Sequence, residues 1–330
     1  MLAGCSSTPV KTTAAHKTSS APPSTSPRPA PPRRYFWPLT GLPASSASTA
    51  PALSIKIDNA PVARPQSGLD KADIVFECLV EGGLSRFMAV YQSHAAPLVG
   101  PIRSARPVDG ALLRALHGGI FAYSGAADGE IAPAKAYSTA YLLSNDYDSA
   151  PFHRIQSRYA PENVYASTGS LRAEAGRHGG RLKAPPSLFT YGPVAPRARR
   201  ASAVALTIGG QSTAVWKLSG SQYLRWENGS AHLLDSGRQV QTRNVVLMHV
   251  AVTGSGITDA AGNEDPFVRA YGAGTIEVLR DGVVERGHWS RPTVEAPFRF
   301  TSDTGGALTL APGQTWVELI PATTGSASIV

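Results

Sequence analysis

Apolar and polar positions alternate most clearly over Ala72–Gln92, ADIVFECLVEGGLSRFMAVYQ. Two runs with a period of two flank Gly82-Gly83, the pattern of two strands joined by a tight turn. A two-residue loop there puts Ile74, Phe76, Cys78 and Val80 on one face with Tyr91, Ala89, Phe87 and Ser85. The other face then pairs Val75 with Val90, Glu77 with Met88, Leu79 with Arg86 and Glu81 with Leu84. Both faces are largely apolar, so the hairpin is expected to be covered on both sides. Glu77, Glu81 and Arg86 are therefore expected inside a layered structure. In this register Arg86 lies diagonal to both carboxylates, ~7–8 Å away and within reach of long side chains.

The rest of the chain alternates between short strands and capped helices. Leu53–Ile57 reads as a strand ending in Asp58-Asn59, followed by a loop over Ala60–Gly68 with Pro61, Arg64 and Pro65. A second loop, Val99–Pro107, carries Arg103 and Arg106; the fixed φ of Pro107 suits the first turn of a helix over Val108–His117, which Gly118-Gly119 stop. Ile120–Ser124 predicts a strand and Asp128–Tyr137 a short helix. Phe152–Asn163 reads as irregular, and Thr168–Arg177 as a helix ended by Gly179-Gly180. Beyond a Pro-, Arg- and Ala-rich connection, strands dominate: Ala203–Ile208, Ala214–Leu218, Tyr223–Trp226, Asn244–Val252, Thr275–Leu279, Val283–Trp289 and Trp316–Ile320. Asn228-Gly229 and Asp281-Gly282 have hairpin-turn chemistry. The expected organisation is a tether over residues 1–34, an amino-terminal α/β domain over 35–185, a linker over 186–202 and a β-rich carboxy-terminal domain over 203–330.

Composition supports a turn-rich chain of 330 residues with a sizeable core: 32 Gly, 27 Pro and only 16% charged residues. The formal net charge of +8 misleads, because Lys11, Lys17, Arg28, Arg33 and Arg34 lie in a tail that has no acid. Basic residues are not interleaved with aromatics, so no nucleic-acid groove is expected. No run approaches the ~20 apolar residues of a membrane-spanning helix.

Leu2-Ala3-Gly4-Cys5 resembles the lipobox of bacterial lipoproteins, in which the cysteine becomes the lipidated first residue. The Ser-, Thr-, Pro- and Ala-rich run from Ser6 to Arg34 has no hydrophobic periodicity and reads as a flexible tether. The charged and apolar regions of an export signal do not precede Leu2, so lipidation expects an upstream start or a trimmed chain.

The runs IDNAPVARPQSGLDKADIVFECLVEGGLSRFMAVYQ and VGPIRSARP, then RWENGSAH, NVVLMHV and GQTWVELIP, occur in an order that resembles the YerB-like lipoprotein family, a domain of unknown function in two parts. The resemblance covers most of Pro38–Pro321. It implies an α+β fold, with a three-layer ββα sandwich in the amino-terminal part and a β-rich carboxy-terminal part. It also implies an exported, lipid-anchored protein held on the outer face of the cell membrane through Cys5. It supplies no activity.

The candidate site therefore comes from the residues. Glu77 and Glu81 are four apart on one strand, ~13 Å at ~3.3 Å per residue, too far for a glycosidase pair of roughly 5–9.5 Å. They are expected in an ion cluster with Arg86. Arg103 and Arg106 stand before a helix start, where guanidinium and backbone N–H groups could hold an anion. Arg64, Glu77, Glu81, Arg86, Arg103 and Arg106 are thus the candidate ligand-binding residues. Cys78 reads as a buried, inert thiol. The histidines have no metal-ligand spacing, and no GxSxG, P-loop or GxGxxG occurs, so neither metal nor cofactor is expected. Asp259, Asn263, Glu264 and Asp265 crowd one loop without EF-hand spacing. His288-Trp289 and Trp316 are expected to plug the second core. The reading that follows is a non-catalytic envelope lipoprotein binding a cell-wall polymer or an envelope protein. The alternative is a wall glycan- or peptide-acting hydrolase that uses Glu77 with a second carboxylate.

Overall fold

Strands carry most of the fold, and the most apolar of them lie at its centre. The structure, a computed structural model, describes residues 1–6, 8–13, 34–178, 182–195, 198–258 and 262–330. The chain divides into Met1–Arg33 and Arg34–Val330. The described residues of the first unit carry no helix or strand. Most of the expected tether, Gly179-Gly180 and Asp259 lie outside the described residues.

In the second unit the amino-terminal part supplies β1 (Leu53–Asp58), β2 (Ile74–Leu79), β3 (Ser85–Tyr91), β4 (Ile120–Tyr123) and β5 (Tyr141–Ser144). It also supplies α1 (Pro107–Ala115), α2 (Asp128–Tyr137) and α3 (Thr168–Arg177). The carboxy-terminal part supplies β6 (Ala203–Gly209), β7 (Ser212–Ser219), β8 (Gln222–Glu227), β9 (Asn244–Val250), β10 (Val252–Thr258) and β11 (Glu264–Val268). It continues with β12 (Gly272–Arg280), β13 (Val283–Arg291), β14 (Thr315–Pro321) and β15 (Ser326–Ile329).

An eleven-stranded mixed sheet runs β13–β12–β9–β14–β2–β3–β1–β4–β5, with Arg199–Arg200 and Arg299–Ser302 added at the β13 edge. Its middle is β14, TWVELIP, paired in parallel with β9 on one side and β2 on the other. Every residue of β14 is buried, as expected of a strand covered on both faces. A smaller sheet, β15–β6–β7–β8 with two short additions on β8, packs on one face. There Val75, Phe87, Leu247 and Trp316 meet Val204, Leu206, Trp216 and Tyr223, and Leu171 of α3 joins the same cluster. On the other face Ile74, Phe76, Met88, Val246 and Leu319 meet Val108, Leu112 and Leu113 of α1 and Ile131 of α2. The fold is α+β, with the small sheet and α3 on one face of the central sheet and α1 and α2 on the other, and both layered faces draw on both parts of the chain. The expected linker connects two segments that one sheet joins.

The hairpin differs from its expected register by one residue. Cys78 stands opposite Arg86, and Glu77 opposite Phe87. Glu81, Gly82 and Gly83 form a three-residue loop in which both glycines take positive φ, 67° and 73°, and the Val80 amide donates to the Leu84 carbonyl at 2.9 Å. Glu81 belongs to the loop because its carboxylate is bound by Arg86 and Arg106. A slip of one exchanges faces: Arg86 shares the helix-covered face with Phe76, Cys78 and Met88, while Glu77 shares the opposite face with Ser85 and Phe87. Three smaller differences follow the same logic of local pairing. Phe152–Arg154 is a strand against Val164–Ala166. The strand is interrupted at Ala251, so β9 and β10 are separate. Glu264 and Asp265 lie in β11, paired with β10. Trp289 and Trp316 are buried on opposite faces of the sheet, and His288 is exposed.

Candidate functional site

Five of the six candidate residues are divided between the two faces of the central sheet. On the helix face, β1 and β3 put Asp58 directly across from Arg86. Asp58 takes Arg86 Nε at 3.5 Å and Arg103 Nε at 3.3 Å, and Glu162 lies 3.9 Å from Arg103. Glu81, at the hairpin tip, takes Arg86 Nη2 at 2.8 Å and Arg106 Nε at 2.7 Å. Arg106 precedes α1 and also meets Glu130 of α2 at 3.0 Å and Asp265 of β11 at 3.2 Å. Deeper in the same layer, Lys56 donates to Asp109 at 2.7 Å, both side chains fully buried. Asp109 also accepts the Arg106 amide at 2.7 Å, so the start of α1 is capped from within.

Four cations, Lys56, Arg86, Arg103 and Arg106, thus face six carboxylates, Asp58, Glu81, Asp109, Glu130, Glu162 and Asp265. The chain's own acids occupy the positions an external anion would take. Despite the burial of Glu81, hydrogen bonds from Arg106 and the charges of Arg86 and Arg106 hold its carboxyl down at about 2. Asp265 behaves in the opposite way. Burial pushes it up to about 7, aided by Glu81 and Glu130 against the attraction of Arg106, and among the described residues neither of its oxygens accepts a hydrogen bond. Cys78 sits in this layer with Lys56 Nζ 3.5 Å from its sulfur, and burial pushes its thiol up, as an inert cysteine requires.

The other face holds a second cluster, centred on a residue the sequence reading did not single out. Arg225 of β8 is completely buried, with Phe87, Trp216 and Trp316 around its guanidinium at 5.5, 5.6 and 5.2 Å. It binds Glu77 at 2.5 Å and also Glu227. Glu77 further accepts from the Ser85 hydroxyl at 2.6 Å. Glu318 of β14 lies beside it in parallel register and accepts the Trp216 indole N–H at 2.7 Å. Burial and the Glu77 charge hold the Glu318 carboxyl well above the usual carboxylate range. Arg225 Nη1 donates to His232 Nδ1 at 2.7 Å, which fixes Nε2 as the protonated nitrogen, donating to Gln66 Oε1 at 2.8 Å. Burial and the Arg225 charge lower the His232 pKa, keeping the ring neutral.

Arg64 is the remaining candidate, and it stands apart. It lines an open cavity of about 530 Å³ with Pro61, Glu227, His232, Leu234 and Asp235. Its loop is tied down by Arg158, which donates to the Val62 and Pro65 carbonyls at 3.1 and 2.5 Å. Gln66 fastens the same loop to the Asp58 carbonyl at 3.0 Å. Among the described residues, no hydrogen bond or ion pair reaches the Arg64 guanidinium.

Arg225, Glu227, Lys56 and Glu318 had one available signal. Each is a charge at an inward position of an apolar or alternating strand, QYLRWE, LSIKID or TWVELIP, and such a charge must be paired where it is buried. Among the described residues no group of three or more His, Cys, Asp or Glu is placed to hold a metal ion.

With this geometry in place, known proteins bear on the chain. Residues 39–181 match a family described as the N-terminal domain of a protein of unknown function (DUF3048), and residues 204–317 match the C-terminal domain of that family. "Putative lipoprotein YerB" of Bacillus subtilis (strain 168) is 29% identical over 293 residues, 86% of each chain. The crystal structure of the YerB protein from Bacillus subtilis superimposes with a TM-score of 0.74 at 25% identity, covering 89% of this chain and 99% of that one.

Proposed function

Since the chain belongs to the DUF3048 family of proteins of unknown function, with both its N-terminal and its C-terminal domain, we propose that it is a lipid-anchored envelope protein that binds a cell-wall polymer without transforming it. The likeness to a lipoprotein and the Leu2–Cys5 tetrapeptide support the anchor, with Cys5 as the lipidated residue on the outer face of the cell membrane.

One observation carries the choice of binding over hydrolysis. Glu77, the residue a hydrolase would use, is 1% exposed and held by Arg225 and Ser85, and its neighbouring carboxyl, Glu318, is fully buried. A general acid or base must come within hydrogen-bond reach of the substrate, and neither group can. The Glu81 cluster is likewise closed by its own arginines. Purified chain incubated with insoluble wall material is expected to sediment with it and to release no soluble fragments. Released fragments would support the hydrolase. Sedimentation only when an envelope protein is added back would move the partner from polymer to protein. In cells carrying an export signal ahead of Leu2, Cys5→Ser is expected to move the chain from the membrane fraction to the soluble one.

A further inference from the structure

The two walls of the Arg64 cavity come from the two family domains. Pro61, Arg64 and Pro65 form one wall, and the segment from Glu227 to Gly237 forms the other. The walls are fastened together below the opening. The Asp235 amide donates to the Gln66 carbonyl at 3.0 Å, and Ser67 donates to Asp235 Oδ2 at 2.6 Å. The volume suits a small polar group with an apolar body.

Arg64 and Glu227 attract each other across this cavity, but among the described residues no hydrogen bond or ion pair closes between them. Arg86, Arg103, Arg106 and Arg225 each form an ion pair with a carboxylate; Arg64, half-buried, feels Glu227 at longer range and forms no ion pair among the described residues. Glu227 gives Oε2 to Arg225, while its Oε1 accepts no hydrogen bond from the described residues. Asp235 is exposed at the rim. His232 offers nothing to a ligand, because Arg225 and Gln66 take both ring nitrogens. A simple anion would meet Glu227 and Asp235, and a simple cation would meet Arg64 with Arg225 behind it. A group carrying both charges satisfies the cavity.

We infer that this cavity binds an amino-acid group with a free carboxylate and a free amine, the carboxylate on Arg64 and the amine on Asp235 at the rim, with the charge of the buried Glu227 behind it. The inference rests on the wall-binding reading for its biological source, a diamino-acid residue at the end of a wall peptide. A free amino acid presents the same chemistry. A guanidinium and a carboxylate form paired charged hydrogen bonds that a lysine cannot reproduce, so Arg64 sets the orientation.

The test is calorimetry on the full chain with three peptide probes and one free amino acid. The peptides are N-acetyl-Ala-Glu-Lys, the same peptide amidated at its carboxy terminus, and the same peptide acetylated on the lysine Nε. The free amino acid is lysine. Saturable binding of the first peptide is expected, and either blocking group should weaken it by roughly tenfold or more. Arg64→Gln should match the effect of amidation, and Arg64→Lys should fall between. Neither variant removes a hydrogen bond, so both are expected to melt with the parent chain. Binding of lysine but not of the peptide would keep the site and assign it to a free amino acid. No binding of either, or binding indifferent to blocking or to Arg64→Gln, would overturn the inference. Sedimentation with wall material separates this from the wider reading. Parent and Arg64→Gln chains that sediment equally would remove the cavity's role and leave wall binding. A parent chain that binds peptide but does not sediment would do the reverse.

Discussion

Asp265 and Glu81 are both carboxylates of β11 and the hairpin tip that meet Arg106, yet they titrate in opposite directions. Glu81 is held at about 2 by two arginines, so its folded value lies below its unfolded one. Its contribution to stability is present above the ordinary carboxylate range and is lost as pH falls toward about 2. Asp265 is raised to about 7. The folded chain keeps a proton there that the unfolded chain releases, so this contribution is full below the ordinary range and is lost as pH rises through about 7. The charges facing Asp265 are Arg106, Glu81, Glu130 and Lys56, and an amide at this position keeps the shape while removing the buried charge. Asp265→Asn is therefore expected to melt higher than the parent at pH 8 and to flatten the dependence between pH 5 and 8. A variant that melts lower at pH 8 would mean that the pair with Arg106 outweighs the desolvation. At this scale the sequence reading named Arg86, Glu81, Arg103 and Arg106, which converge, because loop arginines near a helix start are recognisable. It missed Arg225 and Glu227. Their alternating strand reads as solvent-facing until the central sheet is known to cover the small sheet that contains it.

Among the elements, those bounded by strong punctuation were legible. Asp128–Tyr137 and Thr168–Arg177 have the expected limits, and α1 begins at Pro107. The hairpin was legible as a hairpin but not in register, because Gly82-Gly83 suits a two-residue loop as well as the tail of a three-residue one. What decided it was a long-range contact, Glu81 with Arg106, that no local pattern carries. β10, β11 and β15 lack an apolar alternation strong enough to find. Packing of α1 on α2 was also out of reach, and it depends on one residue. A Cβ on Gly110 would lie 2.4 Å from the backbone carbonyl carbon and oxygen of Pro133. Helix propensity alone would favour alanine here by about 1 kcal/mol. Overpacking costs ~1–3 kcal/mol and sometimes more, and backbone cannot swing aside as a side chain can. Gly110→Ala is expected to lose about 2 kcal/mol in urea unfolding. An unchanged or raised midpoint would show that the two helices separate freely.

The whole molecule is interleaved in a way that a division near residues 186–202 does not convey. The carboxy-terminal part sends β14 into the middle of the sheet, between its own β9 and the amino-terminal β2. Gln314, at the entry to β14, donates to the Leu69 and Ala72 carbonyls at 2.8 and 2.7 Å. Arg291 of β13 donates to the Ala111 carbonyl of α1 at 2.8 Å, and Arg225 neutralises Glu77 across the layers. Separating the parts would leave Glu77 without its guanidinium partner and Arg225 with Glu227 alone, at a cost of ~3–5 kcal/mol for such a broken buried pair. It would also expose the edge of β2 and both faces that the other part covers. Against total stabilities of roughly 5–15 kcal/mol, neither part is expected to fold alone. The full chain should therefore unfold in one step, with far-ultraviolet dichroism and the fluorescence of Trp216, Trp289 and Trp316 falling together in denaturant. Residues 35–185 and 203–330 made separately should each lack a cooperative transition, and mixing them should restore one if the parts find each other. Two separated transitions in the full chain, or a cooperative melt of either part alone, would show that β14 and Arg225 join units already stable by themselves.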